Sequence, residues 1–230
     1  MLGLPDAIAA CLFDLDGVLT RTAEVHARAW KETFDAFLKE RGGEEPFDLV
    51  HDYDEYVDGK PRLDGVRDFL ASRGIELSDD EVARLADAKN DIVLKLIHEE
   101  GVQAYEGSVR YLHAARDAGL RRAVVSSSHN CKDVLAAAGI EDLLEVRVDG
   151  VVAEERHLKG KPAPDTFLEA ARELGVAPEH AAVFEDALAG VQSGHAGGFG
   201  CVVGVDRAGQ REALLAHGAT VVVDDLAELL

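Results

Sequence analysis

Two carboxylates, Asp14 and Asp16, stand two residues apart with Leu15 between them, where the apolar run at 8–13 ends and Gly17 follows. A carboxylate at a strand end can attack a phosphoryl group and become an acyl phosphate. That reaction crowds negative charge together, so Asp14 in this role requires a hard cation, Mg²⁺, to screen it. Asp16 can give and take the proton of the leaving and attacking oxygens, and Gly17 lets the backbone turn tightly there. The plainer reading of the same residues is a pair of turn-forming acids.

Three further stretches bear on the choice. In VVSSSHN (124–130), Ser126 ends an apolar run, where its hydroxyl and nearby amides could hold phosphate oxygens; a turn or cap serine is the alternative. In KGKPAPD (159–165), Lys161 precedes a Pro-rich helix entry and could serve as a fixed positive charge rather than a surface lysine. In VFEDALAG (183–190), Glu185 and Asp186 close an apolar run and could add carboxylates for the cation, or simply sit at an acidic helix start.

The elements that must position these residues follow from the pattern. Apolar runs at 8–13, 122–126, 181–185, 201–205 and 220–224 read as buried strands. Helical patterns fall between them at 107–119, 130–139, 164–174, 187–196 and 210–217. Continuous apolar strands alternating with helices predict an α/β fold, a parallel sheet covered on both faces. Such sheets bind ligands at the carboxyl ends of their strands, where Asp14, Ser126 and Glu185 fall. The interval 22–104 breaks the alternation. Trp30, Phe34, Phe37 and Leu38 share helical spacing, and a second helix at 80–98 stripes Val82, Leu85, Ala86, Val93, Leu96 and Ile97. Between these helices, 40–62 reads as an irregular acidic loop. Lys89 falls within the second apolar stripe, either snorkelling to water or aimed at an anionic ligand. Trp30 reads as core.

The four motifs FDLDGV, Ser126, Lys161 and EDALAG occur in the order that identifies the haloacid dehalogenase superfamily of phosphotransferases, which the chain resembles over essentially its whole length. The resemblance implies a Rossmann-like three-layer core (1–21 and 105–230) with a small helical cap (22–104) inserted after the first strand. It implies Asp14 as nucleophile, Asp16 as general acid/base, and Ser126 and Lys161 as catalytic partners. Mg²⁺ would be held by the Asp14 carboxylate, the Asp16 main-chain carbonyl and Asp186, with Glu185 in support. Asp16 also argues against dehalogenation, since halide-displacing relatives generally lack the second aspartate.

Within the superfamily, TAEVHARAW (22–30), GKPR (59–62) and LADAKND (85–91) look like the β-phosphoglucomutase-like family. That likeness implies interconversion of β-D-glucose 1-phosphate and glucose 6-phosphate through an aspartyl phosphate and a 1,6-bisphosphate. Arg62 would grip the phosphate that is not being transferred. Lys89, Ser128, His129 and Asn130 would contact the substrate, and His26 would support closure near the hinge. The chain departs from the family at Arg21, commonly an aspartate, at Lys60–Pro61, and at His129, commonly a lysine. The other readings are a Mg²⁺-dependent phosphatase of a small sugar phosphate and, from a different class, an inactive binding module.

The 230 residues are 47% hydrophobic and carry a formal net charge of −20, which repels nucleic acid and anionic membrane. The expected partner is a small phosphorylated sugar, taken by a monomer. Cys11, Cys131 and Cys201 form no metal-binding spacing and read as buried thiols of a reducing compartment. The start of the chain lacks a basic region, so no signal peptide and a cytoplasmic location are expected.

Overall fold

The computed structural model describes residues 2–42 and 45–230. Strand β1 (Ala10–Phe13) lies between β2 (Arg121–Val125) and β4 (Ala181–Glu185), all parallel. With β3 (Val146–Val148), β5 (Cys201–Val205) and β6 (Val221–Val223) they form a six-stranded sheet in the order β3-β2-β1-β4-β5-β6. The sequence missed β3, a three-residue strand interrupted by Arg147, too short to register as an apolar run.

Residues of β1 alternate between two apolar layers, which is why the strand reads as continuously apolar. Cys11 and Phe13 pack with Tyr111 and Leu112 of α4 (Glu106–Asp117) and Val134 of α5 (Cys131–Ala138). Ala10 and Leu12 pack with Phe167 and Leu174 of α7 (Asp165–Leu174) and Val191 of α8 (Leu188–Ala196). Two shorter helices, α6 (Gly150–Glu155) and α9 (Arg211–Ala216), complete the layers. The chain runs outward from β1 to β2 and β3, then crosses to β4 on the other side of β1. That reversal opens a crevice at the carboxyl end of β1, the general ligand position of open α/β sheets. Phe13 lies level with Val124 and Phe184, so Asp14 and Glu185 emerge at one height and Ser126 one residue beyond.

Between β1 and β2 the chain forms α1 (Thr22–Arg41), α2 (Arg62–Ser72) and α3 (Asp79–Glu100). This helical insert has its own apolar cluster, in which Trp30, Phe34, Phe47, Phe69 and Val82 are buried. Ser78 and Glu81 form a capping box that starts α3. Helix α2 was not predicted. Its apolar face is only Val66, Phe69 and Leu70, and Gly65 inside it packs on Val57. The interval read as irregular also contains one π-helical turn, Tyr53–Val57, closed by the Asp58 N–H donating to the Tyr53 carbonyl at 2.9 Å. Arg21 N–H to Gln103 O (2.9 Å) and Tyr105 N–H to Leu19 O (3.0 Å) tie together the two chain segments that join insert and sheet. Among the described residues, no helix is long and apolar enough to cross a membrane.

Candidate active site

The end of β1 delivers Asp14 into a buried ion cluster. The Lys161 ammonium donates to both Asp14 Oδ1 and Glu185 Oε1, and reaches the Val125 carbonyl at 3.3 Å. Burial works against this ammonium, but Asp14 and Glu185 outweigh it and raise its pKa, so Lys161 stays charged. The second Glu185 oxygen accepts the Ala187 N–H at 3.0 Å, which fixes the turn carrying Asp186. With both oxygens engaged, Glu185 holds its neighbours in place. Gly17 is required by that turn's approach: it sits at φ +85°, and a Cβ there would overlap the Asp186 carboxylate. Ser126 is 2% exposed, and its hydroxyl accepts the Ser128 N–H at 3.1 Å.

A second chain of contacts starts at Asp16. Thr22 donates to Asp16 Oδ1, and His26 Nε2 lies 3.4 Å from the same oxygen. At the other nitrogen of that ring, Lys89 Nζ is 2.6 Å from His26 Nδ1. A neutral imidazole protonated at Nε2 satisfies both contacts, accepting from Lys89 and donating to Asp16. Burial and the nearby Lys89 lower the His26 pKa, which favours the neutral ring. Burial alone would raise Asp16, but His26, Thr22 and Lys89 outweigh it and bring its pKa to about 2. Lys89 is 5% exposed and lies 4.7 Å from the Trp30 ring centroid. Burial brings its pKa down to about 7, with Asp16 opposing and Arg62 adding to the fall.

A cavity between the insert and the sheet collects most of the singled-out residues. Asp14, Asp16, His26, Arg62, Lys89, Ser128, His129, Asn130 and Asp186 all line it. Ser126 and Lys161 line an adjoining cavity that shares Arg62 and His129 with the first, and Glu185 is buried beside Lys161. Asn130 Nδ2 donates to Asn90 Oδ1 at 3.0 Å, bridging sheet and insert, and the Ser127 hydroxyl donates to the Gly59 carbonyl at 2.7 Å. His129 is turned toward the rim, with Nε2 at 3.2 Å from Glu154 Oε2. Tyr53, Asp58, Asn90 and Ser127 also line the cavity and were missed. Trp30 belongs to the insert's core, as expected, and to the cavity wall as well. Asn90 beside Lys89 was the readable signal; nothing in the pattern marked Asp58.

The donor set suits a hard cation. Asp14, Glu185 and Asp186 each present a carboxylate oxygen within 4.8 Å of the others. Asp186 is 7% exposed, and among the described residues no donor hydrogen-bonds to its carboxylate. Burial pushes its pKa well up, and Asp58, Glu185 and Asp14 push it further. Oxygen ligands alone, with one carboxylate left unpaired, match Mg²⁺ rather than a soft metal.

A family model of haloacid dehalogenase-like hydrolases matches residues 8–198. A β-phosphoglucomutase of Mycobacterium bovis is 55% identical in an alignment covering 100% of this chain and 94% of the relative. A β-phosphoglucomutase of Bacillus subtilis is 33% identical over 96% of this chain and 91% of its own. Among solved structures, a β-phosphoglucomutase from Clostridium difficile superposes with a TM-score of 0.80 at 28% identity, covering 97% of this chain and 93% of that one.

Proposed function

The chain belongs to the haloacid dehalogenase superfamily, in its β-phosphoglucomutase-like family, and from that premise we propose that it interconverts β-D-glucose 1-phosphate and glucose 6-phosphate through an aspartyl phosphate and a glucose 1,6-bisphosphate. One feature of the cavity supports this above all. Asp14 and Asp16 line it together with Arg62, Lys89, Ser128 and Asn130, so one enclosed space offers a reacting carboxylate and a separate set of phosphate-gripping groups. A substrate phosphorylated at both ends fits such a space.

In this reading the Asp14 carboxylate attacks one phosphorus of the bisphosphate, and the bond from that phosphorus to the sugar oxygen breaks. Asp16, ionised at rest with a pKa of about 2, delivers to that leaving oxygen the proton it has taken up in the return half. In the return half, the ionised Asp16 takes the proton from the hydroxyl that attacks the aspartyl phosphate. Lys161 holds Asp14 in line and offsets charge on the transferring group. Arg62 supplies a planar fork for the other phosphate. Mg²⁺ would be held by the Asp14 and Asp186 carboxylates and the Asp16 main-chain carbonyl, with Glu185 in support, and would neutralise the crowded oxygens. The insert, 22–104, acts as a cap on the 1–21 and 105–230 core and excludes water while the aspartyl phosphate exists.

Phosphorus NMR on β-glucose 1-phosphate with Mg²⁺ and catalytic bisphosphate tests the proposal. Glucose 6-phosphate is the expected product. Steady release of inorganic phosphate without isomer would replace it with the second reading, a phosphatase of a small sugar phosphate, which the family's hydrolase description supports.

A further inference from the structure

Asp58 is the carboxylate that the helical insert brings into the cavity, facing Asp14, Asp16 and Asp186 of the sheet side. Its backbone is fixed there. The Asp58 N–H closes the π-turn, the next carbonyl accepts Ser127, and Gly59 packs so tightly on Ala187 that a Cβ would lie 2.8 Å from the alanine methyl. Ala187 directly follows Asp186, so seating Gly59 on the core sets Asp58 over the cation-binding carboxylates. The charged groups that act most on Asp58 are Glu185, Asp54 and Asp16, all acids, and no lysine or arginine is among them. Asp58 is in turn the leading charged influence on Asp186, whose buried carboxylate has no donor among the described residues. The neutral Tyr53 hydroxyl is the side-chain donor to Asp58, and among the described residues neither Asp58 nor Asp186 has a salt-bridge partner. Two carboxylates held together from opposite sides of the joint thus lack a counter-charge that a cation between them would supply.

Mg²⁺ keeps several of its waters when bound, and carboxylates beyond the direct ligands anchor those waters. We infer that Asp58 accepts hydrogen bonds from the water shell of the bound cation from the insert side, so that cation binding and seating of the insert strengthen each other. The coupling is reciprocal: whatever factor the seated insert adds to cation affinity, the cation adds to seating. This rests on the cation site proposed above and is indifferent to whether the phosphoryl group passes to a sugar or to water.

Calorimetric titration of the full chain with magnesium chloride tests it, on wild type, Asp58→Asn and Asp58→Ala. Both variants are expected to bind Mg²⁺ about 10-fold more weakly, the low end for a lost outer partner. Fluorescence of Trp30, the single tryptophan and part of the cavity wall, reports seating. Its Mg²⁺-dependent change should shrink in both variants. Their metal-free melting temperatures should equal or exceed that of wild type, because a like charge has been removed. Mg²⁺ affinity within about twofold of wild type overturns the inference. Weakened sugar-phosphate binding at unchanged Mg²⁺ affinity would assign Asp58 to the sugar, and a lowered metal-free melting temperature at unchanged affinity would make it structural. A wild type that binds no Mg²⁺ removes the cation site and this inference with it. Free phosphate in the NMR experiment would leave the titration result standing.

Discussion

Asp14 and Asp16 sit two residues apart yet belong to different contact networks, and their substitutions should separate accordingly. Asp14 is tied to Lys161, and Asp14→Asn removes the attacking oxygen, so both isomer formation and phosphate release should fall to background in steady-state assays. Asp16 is tied to Thr22 and His26; Asp16→Ala leaves the nucleophile in place and should slow turnover by roughly 10²–10⁴. An unaltered rate would move the proton elsewhere. Lys89 gives a pH signature. Its pKa is about 7 when folded against an ordinary 10.5, because the native state disfavours its charge. Between those values the unfolded chain holds a proton that the folded chain lacks, so this contribution to stability rises with pH across the window. Below pH 7 the full penalty of a buried ammonium is present. Lys89→Met should therefore melt above wild type at pH 6 without ligand, and the gap should close by about pH 10, each kcal/mol being worth about 2–4 °C in a chain of this size. A gap that stays constant with pH would show that Lys89 is not neutralised by burial.

At the scale of elements, the joint between insert and sheet is where residues far apart in sequence become one site. Gly59 has φ +69° and rests on Ala187, so Gly59→Ala places a side chain in the left-handed region and wedges the insert off the core. We expect kcat/KM to fall about 10-fold, equivalent to about 1.4 kcal/mol, and the melting temperature to fall by roughly 2–8 °C, because left-handed backbone costs a non-glycine residue about 1–2 kcal/mol. An unchanged kcat/KM alongside the lowered melting temperature would mean that the glycine serves folding alone. The two segments that join insert and sheet are braced by Tyr105, with the Arg207 guanidinium 3.7 Å and the Arg21 guanidinium 4.6 Å from its ring centroid. Arg207 also donates to the Gly17 carbonyl at 2.9 Å, linking those segments to the turn after Asp14. This geography explains what was legible in the sequence. Asp14, Ser126, Glu185 and Asp186 stand at or just past strand ends, and strands buried on both faces announce themselves as apolar runs. Lys89 was legible because a charge inside an apolar helical stripe is conspicuous. Asp58 and Ser127 were not, because their roles depend on how the π-turn and the residues after it settle against the sheet. Nor were β3 and α2, whose few apolar residues are completed by neighbours rather than by their own pattern.

Considered as a whole molecule, the chain concentrates a general property at one point. A net charge of −20 disfavours the compact state through self-repulsion, and any salt relieves that diffusely. The cluster of Asp14, Glu185 and Asp186 is a local extreme of the same imbalance, with Lys161 already committed to two of its members. Screening and site binding should therefore be separable in a melting experiment. Sodium chloride should raise the melting temperature gradually and without saturation over the millimolar range, because it acts on the whole surface. A cation that binds the folded chain and not the unfolded one stabilises by RT ln(1 + [L]/Kd), about 2.7 kcal/mol at a hundredfold excess over Kd. At about 2–4 °C per kcal/mol, saturating Mg²⁺ should add roughly 5–11 °C beyond sodium chloride of equal ionic strength, and chelation should reverse the gain. Asp186→Ala should abolish that excess while keeping the response to sodium chloride, since it removes an unpaired ligand and leaves the rest of the surface charge nearly intact. If Mg²⁺ and sodium chloride at matched ionic strength gave superimposable melting curves in the wild type, the carboxylates at the end of β1 and β4 would be a surface-charge effect drawn inward, and the phosphoryl chemistry assigned to Asp14 would lose its counter-charge.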